Sequence, residues 1–374
     1  MSKYKAAVIG LGRMGSTYDD ETKYGGTVYL PYCHGPSYFY SPHTELVSGA
    51  DPHDEQRSLF GERWGIKNDH LYADYREMLE KERPDFVSVT TTAKIRSTIV
   101  QDVARSGAKA IWAEKPIAFS LEDADEMVNV CKDNGVAFAI NTARRWMPSY
   151  TEAKYILDSG KLGRVLQITA HFPCGISHTG SHLFDIIRFL AGGDVAWVFA
   201  EMESDEAAAT DDDLSGNAYL VFDNEVRAFA RTTDCGTVAG GSIDVICENG
   251  RIVCHEGPAT YTVYETPPIL DGTQRRGTPP SSYPVPMPAR IQGTGLTIIE
   301  DLIESTETGK QPKASGEDGR TALEIAIALR ESHRKGGVKI NLPIKDRSLQ
   351  IQSSDTLHGE DPARIRRQKA EQSQ

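Results

Sequence analysis

Residues 5–15 read KAAVIGLGRMG. The apolar run Ala6–Ile9 feeds Gly10-x-Gly12-x-x-Gly15, and if a strand passes into a helix here the stretch is a dinucleotide fingerprint. The three glycines have separate roles. Gly10 allows the tight turn, Gly12 lets backbone amides approach a pyrophosphate, and Gly15 lets helix and strand pack closely. The helix N-terminus then offers free N–H groups and a positive dipole end to phosphates. Arg13 and Met14, inside the same turn, are further candidate coenzyme contacts. The competing reading is a glycine-rich turn with no ligand, in a chain holding 33 glycines. The flanking pattern argues against it.

That pattern continues through the first third of the chain. Short apolar runs recur at 45–50, 85–90, 109–113 and 136–140, alternating with helical segments such as YREMLEKE, STIVQDVARSG and LEDADEMVNVCKDNG. Continuous apolar strands between amphipathic helices predict a doubly wound parallel sheet covered on both faces. Gly107 and Gly135 stand where helices should stop.

The fingerprint calls for a ribose-binding acid about 20 residues on. Asp51 ends the second run, ELVSGAD, but arrives late. Residues 20–41, with the aromatic stretch TVYLPYCHGPSYFY, read as an inserted loop that delays it. The loop's aromatics and His34 either fold over the coenzyme and substrate, as rings pack on sugar faces, or bury one another. An acid at position 51 accepts from ribose hydroxyls and repels a 2′-phosphate, which favours NAD. Arg57 nearby keeps NADP open.

At 374 residues two domains are expected, and the pattern changes after Tyr150. A helix and the strand RVLQITAHF lead to the helix SHLFDIIRFLAGG, after which strands follow one another from Val195 to about Glu265. Asp223-Asn224 and Asn249-Gly250 look like hairpin links. This half is an α+β domain with a large open mixed or antiparallel sheet. The Pro-, Gly- and Ser-rich stretch 267–288 reads as irregular, and two helices follow it. The expected divisions are 1–142, 143–350 and a polar tail over 351–374.

Composition narrows the function. A net charge of -12 argues against a nucleic-acid surface. No apolar stretch approaches a membrane span, and the first residues lack the plan of a secretory signal, which places the chain in the cytosol. The six cysteines form no Cys-x-x-Cys pair and read as free buried thiols.

Three stretches carry candidate chemistry. In WAEKP, Glu114 and Lys115 stand at the carboxyl end of a parallel strand, where open α/β sheets place ligands. A lysine ammonium there can hydrogen-bond a substrate hydroxyl and ease loss of its proton, although a surface lysine at a loop start fits position alone equally well. In SHTGSHLFDIIRFLAGG, Leu183, Ile186, Ile187 and Leu190 form a core-facing stripe. His182 and Asp185 lie three apart on the other face, spaced for the carboxylate to orient an imidazole acting as acid or base. In NTARRWMP, Asn141, Arg144 and Arg145 should line the boundary between domains, binding coenzyme or substrate or making salt bridges, with a structural role for at least one arginine. His171, Cys174, His178 and His182 raise zinc as a rival, but Pro173 and Gly175 interrupt the run and no metal is expected.

Together these pieces resemble the Gfo/Idh/MocA (glucose–fructose oxidoreductase, inositol dehydrogenase, MocA) family of nicotinamide-dependent oxidoreductases of sugars and cyclitols. The resemblance runs from about Lys5 to Pro343 and includes the glycine fingerprint, EKP, GSHLFDIIRFLAGG and SGEDGRTALEIAIALRES. It implies a Rossmann domain, NAD or NADP, Lys115 as catalytic lysine, His182 as the histidine exchanging the hydroxyl proton, and a cis Lys115–Pro116 bond. It also implies a homodimer or homotetramer joined through the C-terminal sheet. Beside it, Thr91, Glu114, Lys115, Asn141 and Arg144 are candidate coenzyme contacts, Lys115, Arg145, His178, His182 and the loop's His34 are candidates around a polyol, and Asp185 or His178 is expected to tune or orient the His182 imidazole. Two departures stand out. Many members have an aspartate where this chain has His178, and TTAKIRST carries Ala93 and Arg96 near the places of the usual proline and histidine. The expected reaction is oxidation of a secondary alcohol of a sugar, cyclitol or sugar acid. The rivals are an NAD-retaining lyase, epimerase or glycoside hydrolase, and a non-catalytic NAD sensor.

Overall fold

The computed structural model describes residues 3–23, 28–233, 241–255, 260–266 and 280–352. Its first part runs β1 (Tyr4–Ile9), α1 (Tyr18–Thr22), α2 (His34–Tyr40), β2 (Thr44–Ala50), α3 (Asp54–Trp64), β3 (Leu71–Tyr72), α4 (Tyr75–Glu82), β4 (Phe86–Val89), α5 (Ala93–Arg105), β5 (Ala110–Ala113), α6 (Leu121–Asp133) and β6 (Ala137–Ile140). The six strands lie in the order β3-β2-β1-β4-β5-β6 and every pairing is parallel. Ala6, Val8, Phe86 and Trp112 are sealed on one face and Ala7, Val87 and Ile111 on the other, as two helical layers require. The connections reverse direction between β1 and β4. That crevice, outside the strand ends, is where such sheets bind ligands.

The expected loop at 20–41 is corrected in its second half. Residues 34–40 form α2, whose His34, Gly35, Pro36, Ser37 and Tyr38 are all buried. The first crossover is thus split, and the excursion rejoins the domain as a short helix packed against β2 and the later helix Thr294–Thr308. Proline at 36 and glycine at 35 had masked this helix, which is held by tertiary burial rather than by propensity. Two-residue β3 is also too short to show in sequence.

The second part comprises α7 (Pro148–Asp158), β7 (Val165–Phe172), α8 (Gly180–Ala191), β8 (Val195–Met202), α9 (Asp205–Ala209), β9 (Gly216–Phe222), β10 (Arg227–Thr232), β11 (Ser242–Cys247), β12 (Gly250–His255), β13 (Thr260–Glu265), β14 (Ser281–Pro284), α10 (Thr294–Thr308), α11 (Gly316–Arg334) and β15 (Ile340–Asn341). Its nine strands run β14-β13-β12-β11-β7-β10-β9-β8-β15. The β7–β10 pair is parallel, so the sheet is mixed. Strand β14 lies inside the stretch expected to be irregular and pairs antiparallel with β13; residues 267–279 of that stretch fall outside the described residues.

One face of this sheet packs on α8 and α11. The stripe Leu183, Ile186, Ile187 and Leu190 is buried as its spacing requires. Helix α11 starts from a capping box, Ser315 with Asp318, and buries Leu323 through Leu329 between the two sheets. Residues 342–352 then strap the halves together. Ile351 N donates to Phe119 O and Asp213 N to Gln352 O, both at 3.0 Å, and Ile351 is fully buried. Residues 351 and 352, the first of the expected tail, are thus tied to the fold; residues 353–374 fall outside the described residues.

Candidate active site

The nucleotide end is built from backbone. Gly10 has φ +91°, a conformation costly for any side chain. A Cβ on Gly15 would stand 2.2 Å from Gly10 O, so helix and strand approach closely only because it is glycine. A Cβ on Gly12 would meet nothing within 4 Å. The protein leaves that space open where a pyrophosphate would press against the turn. Asp51 follows β2, and its Oδ2 accepts from Leu11 N at 2.9 Å, tying the ribose-side acid to the glycine turn. Its Oδ1 accepts from His53 N at 2.9 Å. Arg57 donates to Asp51 O at 2.6 Å and pairs with Asp54. Arg13 is exposed beside the turn and pairs with Glu21 at 2.7 Å. Thr91 Oγ1 and Asn141 Oδ1 are buried without a hydrogen-bond partner. An open cradle with orphaned polar atoms nearby fits a dinucleotide.

The other end is assembled from distant segments. Lys115 follows β5, and its peptide bond to Pro116 is cis. Its Nζ lies 3.1 Å from His178 Nε2. His178 sits just before α8 on a loop held by Asp213. That carboxylate accepts from Ser177 N and His178 N, both at 2.8 Å, and from Leu214 N at 3.0 Å. Gly175 is needed here, because a Cβ would come within 2.5 Å of the Asp213 carboxylate. Burial pushes the Asp213 carboxyl up despite these donors.

His182 occupies the first turn of α8, with Nδ1 buried and unpartnered. Burial, then the charges of Arg144, Lys115 and His178, hold its imidazole well below the ordinary histidine range. The expected pairing with Asp185 is not formed. Asp185 is fully buried and joined to Arg145 by contacts of 2.9 and 2.7 Å. Arg145 also reaches Asp318 at 3.0 Å and Lys313 O at 2.9 Å. Burial works against its charge, but the two carboxylates outweigh it and keep the guanidinium charged. Arg145 is therefore a strut between the halves rather than a substrate ligand, as was expected of at least one arginine. Asp185 orients that strut rather than an imidazole. Arg144 lies against the Phe172 ring at 5.0 Å.

His34 is corrected too. It is fully buried, stacked on Trp112 at 3.6 Å, with both ring nitrogens engaged, so no substrate touches it. Its Nε2 meets Glu114 Oε1 at 3.2 Å. Glu114 also accepts from Asn141 Nδ2 at 2.6 Å and from the Lys115 backbone amide at 3.2 Å. Burial alone would raise this carboxyl. The hydrogen bond and charge of His34, the charge of Lys115 and the Asn141 amide outweigh it and hold it below its usual range. Tyr32 OH accepts from Asn141 at 3.3 Å. Among the loop aromatics, Tyr38 is buried and Phe39 and Tyr40 pack on Trp64.

Residues 4–142 match the oxidoreductase family Gfo/Idh/MocA with its NAD-binding Rossmann fold. Residues 150–253 match the C-terminal domain of the same family. The chain belongs to the Gfo/Idh/MocA family. It is 26% identical over 362 residues to a myo-inositol 2-dehydrogenase of Thermotoga maritima, across 90% of this chain and 98% of that one. It is 27% identical over 322 residues to a D-apiose dehydrogenase of Paraburkholderia graminis, across 78% and 82%. A levoglucosan dehydrogenase in complex with NADH shares the fold, with a TM-score of 0.75 at 19% identity over 91% of this chain and all of that one.

Within a Gfo/Idh/MocA oxidoreductase, the two departures can be placed. His178 stands against Lys115 and draws its backbone support from Asp213, 35 residues on. Arg96 is buried in α5 and donates to Pro116 O and Thr91 O, bracing the loop after Lys115. Asp213, Trp112 and Ser88 are not singled out by the sequence, and no local motif marks them. Among the described residues no group of three or more His, Cys, Asp or Glu side chains is placed to hold a metal. No helix among them is long and apolar enough to cross a membrane.

Proposed function

We propose that this protein is an NAD-dependent dehydrogenase that oxidises a secondary alcohol of a sugar, cyclitol or sugar acid, with Lys115 and His182 at its centre. The observation that carries the proposal is that Lys115 Nζ, at the carboxyl end of β5, lies 3.1 Å from His178 Nε2, with the buried His182 ring near enough to feel the charge of Lys115. Relatives named for inositol and apiose oxidation support the substrate class. Bound NAD would supply the hydride acceptor, held by the glycine turn, Asp51 and the polar atoms of Thr91 and Asn141. The Asp51 carboxylate favours NAD over NADP.

The protein's own groups do the rest. Lys115 donates a hydrogen bond to the substrate oxygen and stabilises the alkoxide as the proton leaves. His182, kept neutral by burial and by neighbouring charges, takes that proton. His178, fixed through Asp213, completes the donor set around the hydroxyls. The free thiols of the described cysteines suit a cytosolic protein. The open face of the second sheet carries Leu166, Phe199 and Phe229, each more than 40% exposed, and we assign it to a dimer or tetramer contact.

A panel of sugars, inositols and sugar acids with NAD and NADP, followed by absorbance of the reduced coenzyme, tests the reading. NAD should be turned over with at least one polyol. Lys115→Ala and His182→Ala should each cut turnover by about 100-fold or more. Near-native rates in both variants would end the assignment, and coenzyme that copurifies without net turnover would favour redox-neutral chemistry.

A further inference from the structure

His34 is fully buried, yet both its ring nitrogens are engaged, one of them by the carboxylate next to Lys115. We propose that His34 is a positioning residue for Lys115, acting through Glu114. This rests on Lys115 being the catalytic lysine.

The hydrogen-bond directions follow from what each group can do. An ionised carboxylate only accepts, so the contact from His34 Nε2 to Glu114 Oε1 requires the proton on Nε2. Burial holds the ring below the ordinary histidine range even against Glu114, so it carries one proton. Nδ1 must then accept, and Ser88 Oγ, 2.8 Å away, donates to it. Ser88 Oγ also lies 3.1 Å from Tyr38 OH. Tyr38, Ser88, His34 and Glu114 thus form one buried line of polar contacts that ends on the carboxylate beside Lys115. The Trp112 ring beneath His34 fixes its plane.

Glu114 passes the constraint on. Its other oxygen accepts from the Lys115 amide at 3.2 Å, at the point where the lysine side chain leaves the backbone. Asn141 holds the first oxygen from the far side at 2.6 Å. Without His34 the buried carboxylate loses a donor and the freedom to turn is restored, which moves the Lys115 backbone. Displacements on the order of 1 Å can cost 100-fold in rate. The helix that brings His34 here follows the excursion in the first crossover, so this segment serves the catalytic strand end without contacting substrate.

The test uses the full chain and the polyol found to be oxidised. His34→Leu should lower kcat by about tenfold to 100-fold, leaving NADH affinity by fluorescence titration within about twofold. His34→Gln, which retains an N–H toward Glu114, should recover most of the loss. In a Glu114→Ala background, His34→Leu should add no more than about twofold, since neighbours acting through one group are not additive. Equal cost in both backgrounds, or no cost at all, would overturn the proposal and leave His34 a packing residue. Should His34→Leu not fold, the same comparison is made with His34→Phe, which also lacks an N–H toward Glu114. Lys115→Ala run alongside separates the cases: retained kcat there overturns the reading of Lys115 itself.

Discussion

At the coenzyme end, three glycines within six residues and one acid 36 residues after the last of them make a binding surface largely of backbone. At the substrate end, Lys115 comes to His178 and His182 from a segment more than 60 residues away, and His178 is held by Asp213 from a third. The first surface is a consequence of local chain geometry. The second exists only after the two sheets and α8 have docked. The two ends should therefore fail differently when changed.

The largest effect is expected in the glycine turn. Gly15→Ala places a Cβ 2.2 Å from a backbone oxygen, and no side chain can move aside to relieve it. We expect NADH affinity to fall by about 100-fold or more, together with a lower thermal midpoint. Gly12→Ala meets no protein atom within 4 Å. It should lose coenzyme affinity while the thermal midpoint of the apoprotein stays put. Equal midpoints in the two variants would break the claim that one glycine serves packing and the other the ligand.

The same contrast explains what could be read in advance. The parallel sheet and the glycine turn followed from spacing, and the position of Asp51 from its place at the end of the second run, because each depends on neighbours in sequence. Helix α2 did not, because its stability comes from burial of His34 and Tyr38 against strands formed later in the chain. Asp185 shows the limit most plainly. Three-residue spacing on a helix makes it a neighbour of His182, but Arg145 from 40 residues upstream claims both its oxygens. A buried carboxylate goes to the strongest available donor, and sequence spacing does not say which donor that will be. Asp213 was missed for the same reason: it binds only backbone amides, which carry no residue signature.

A smaller effect, in pH dependence, probes the substrate end. Since burial, then the charges of Arg144 and Lys115, depress the His182 pKa, its ring remains an able proton acceptor below the ordinary value of about 6.5. For alcohol oxidation, kcat/KM should hold its plateau as pH falls through that value. Lys115→Met removes one of the opposing charges, so in the residual activity the acid limb should move upward. A wild-type limb centred at or above about 6.5 would show that the docked surroundings do not tune this histidine.

The smallest effect on chemistry is expected on the face opposite α8 and α11. Phe199, Tyr219 and Phe229 sit directly across from one another on β8, β9 and β10, with Tyr219 and Phe229 ring centroids 4.9 Å apart. Cross-strand aromatics stabilise a sheet, but two of these rings are 44% exposed, and a contiguous apolar row of this kind marks an interaction surface. Phe199→Glu with Phe229→Glu should shift the mass measured by light scattering to that of a monomer. NADH affinity should stay within about twofold, because the glycine turn depends on no residue of this row. A monomeric wild type would remove the assembly from the proposal, and a large loss of NADH affinity in the double variant would show that the backbone-built end is not as local as its sequence makes it.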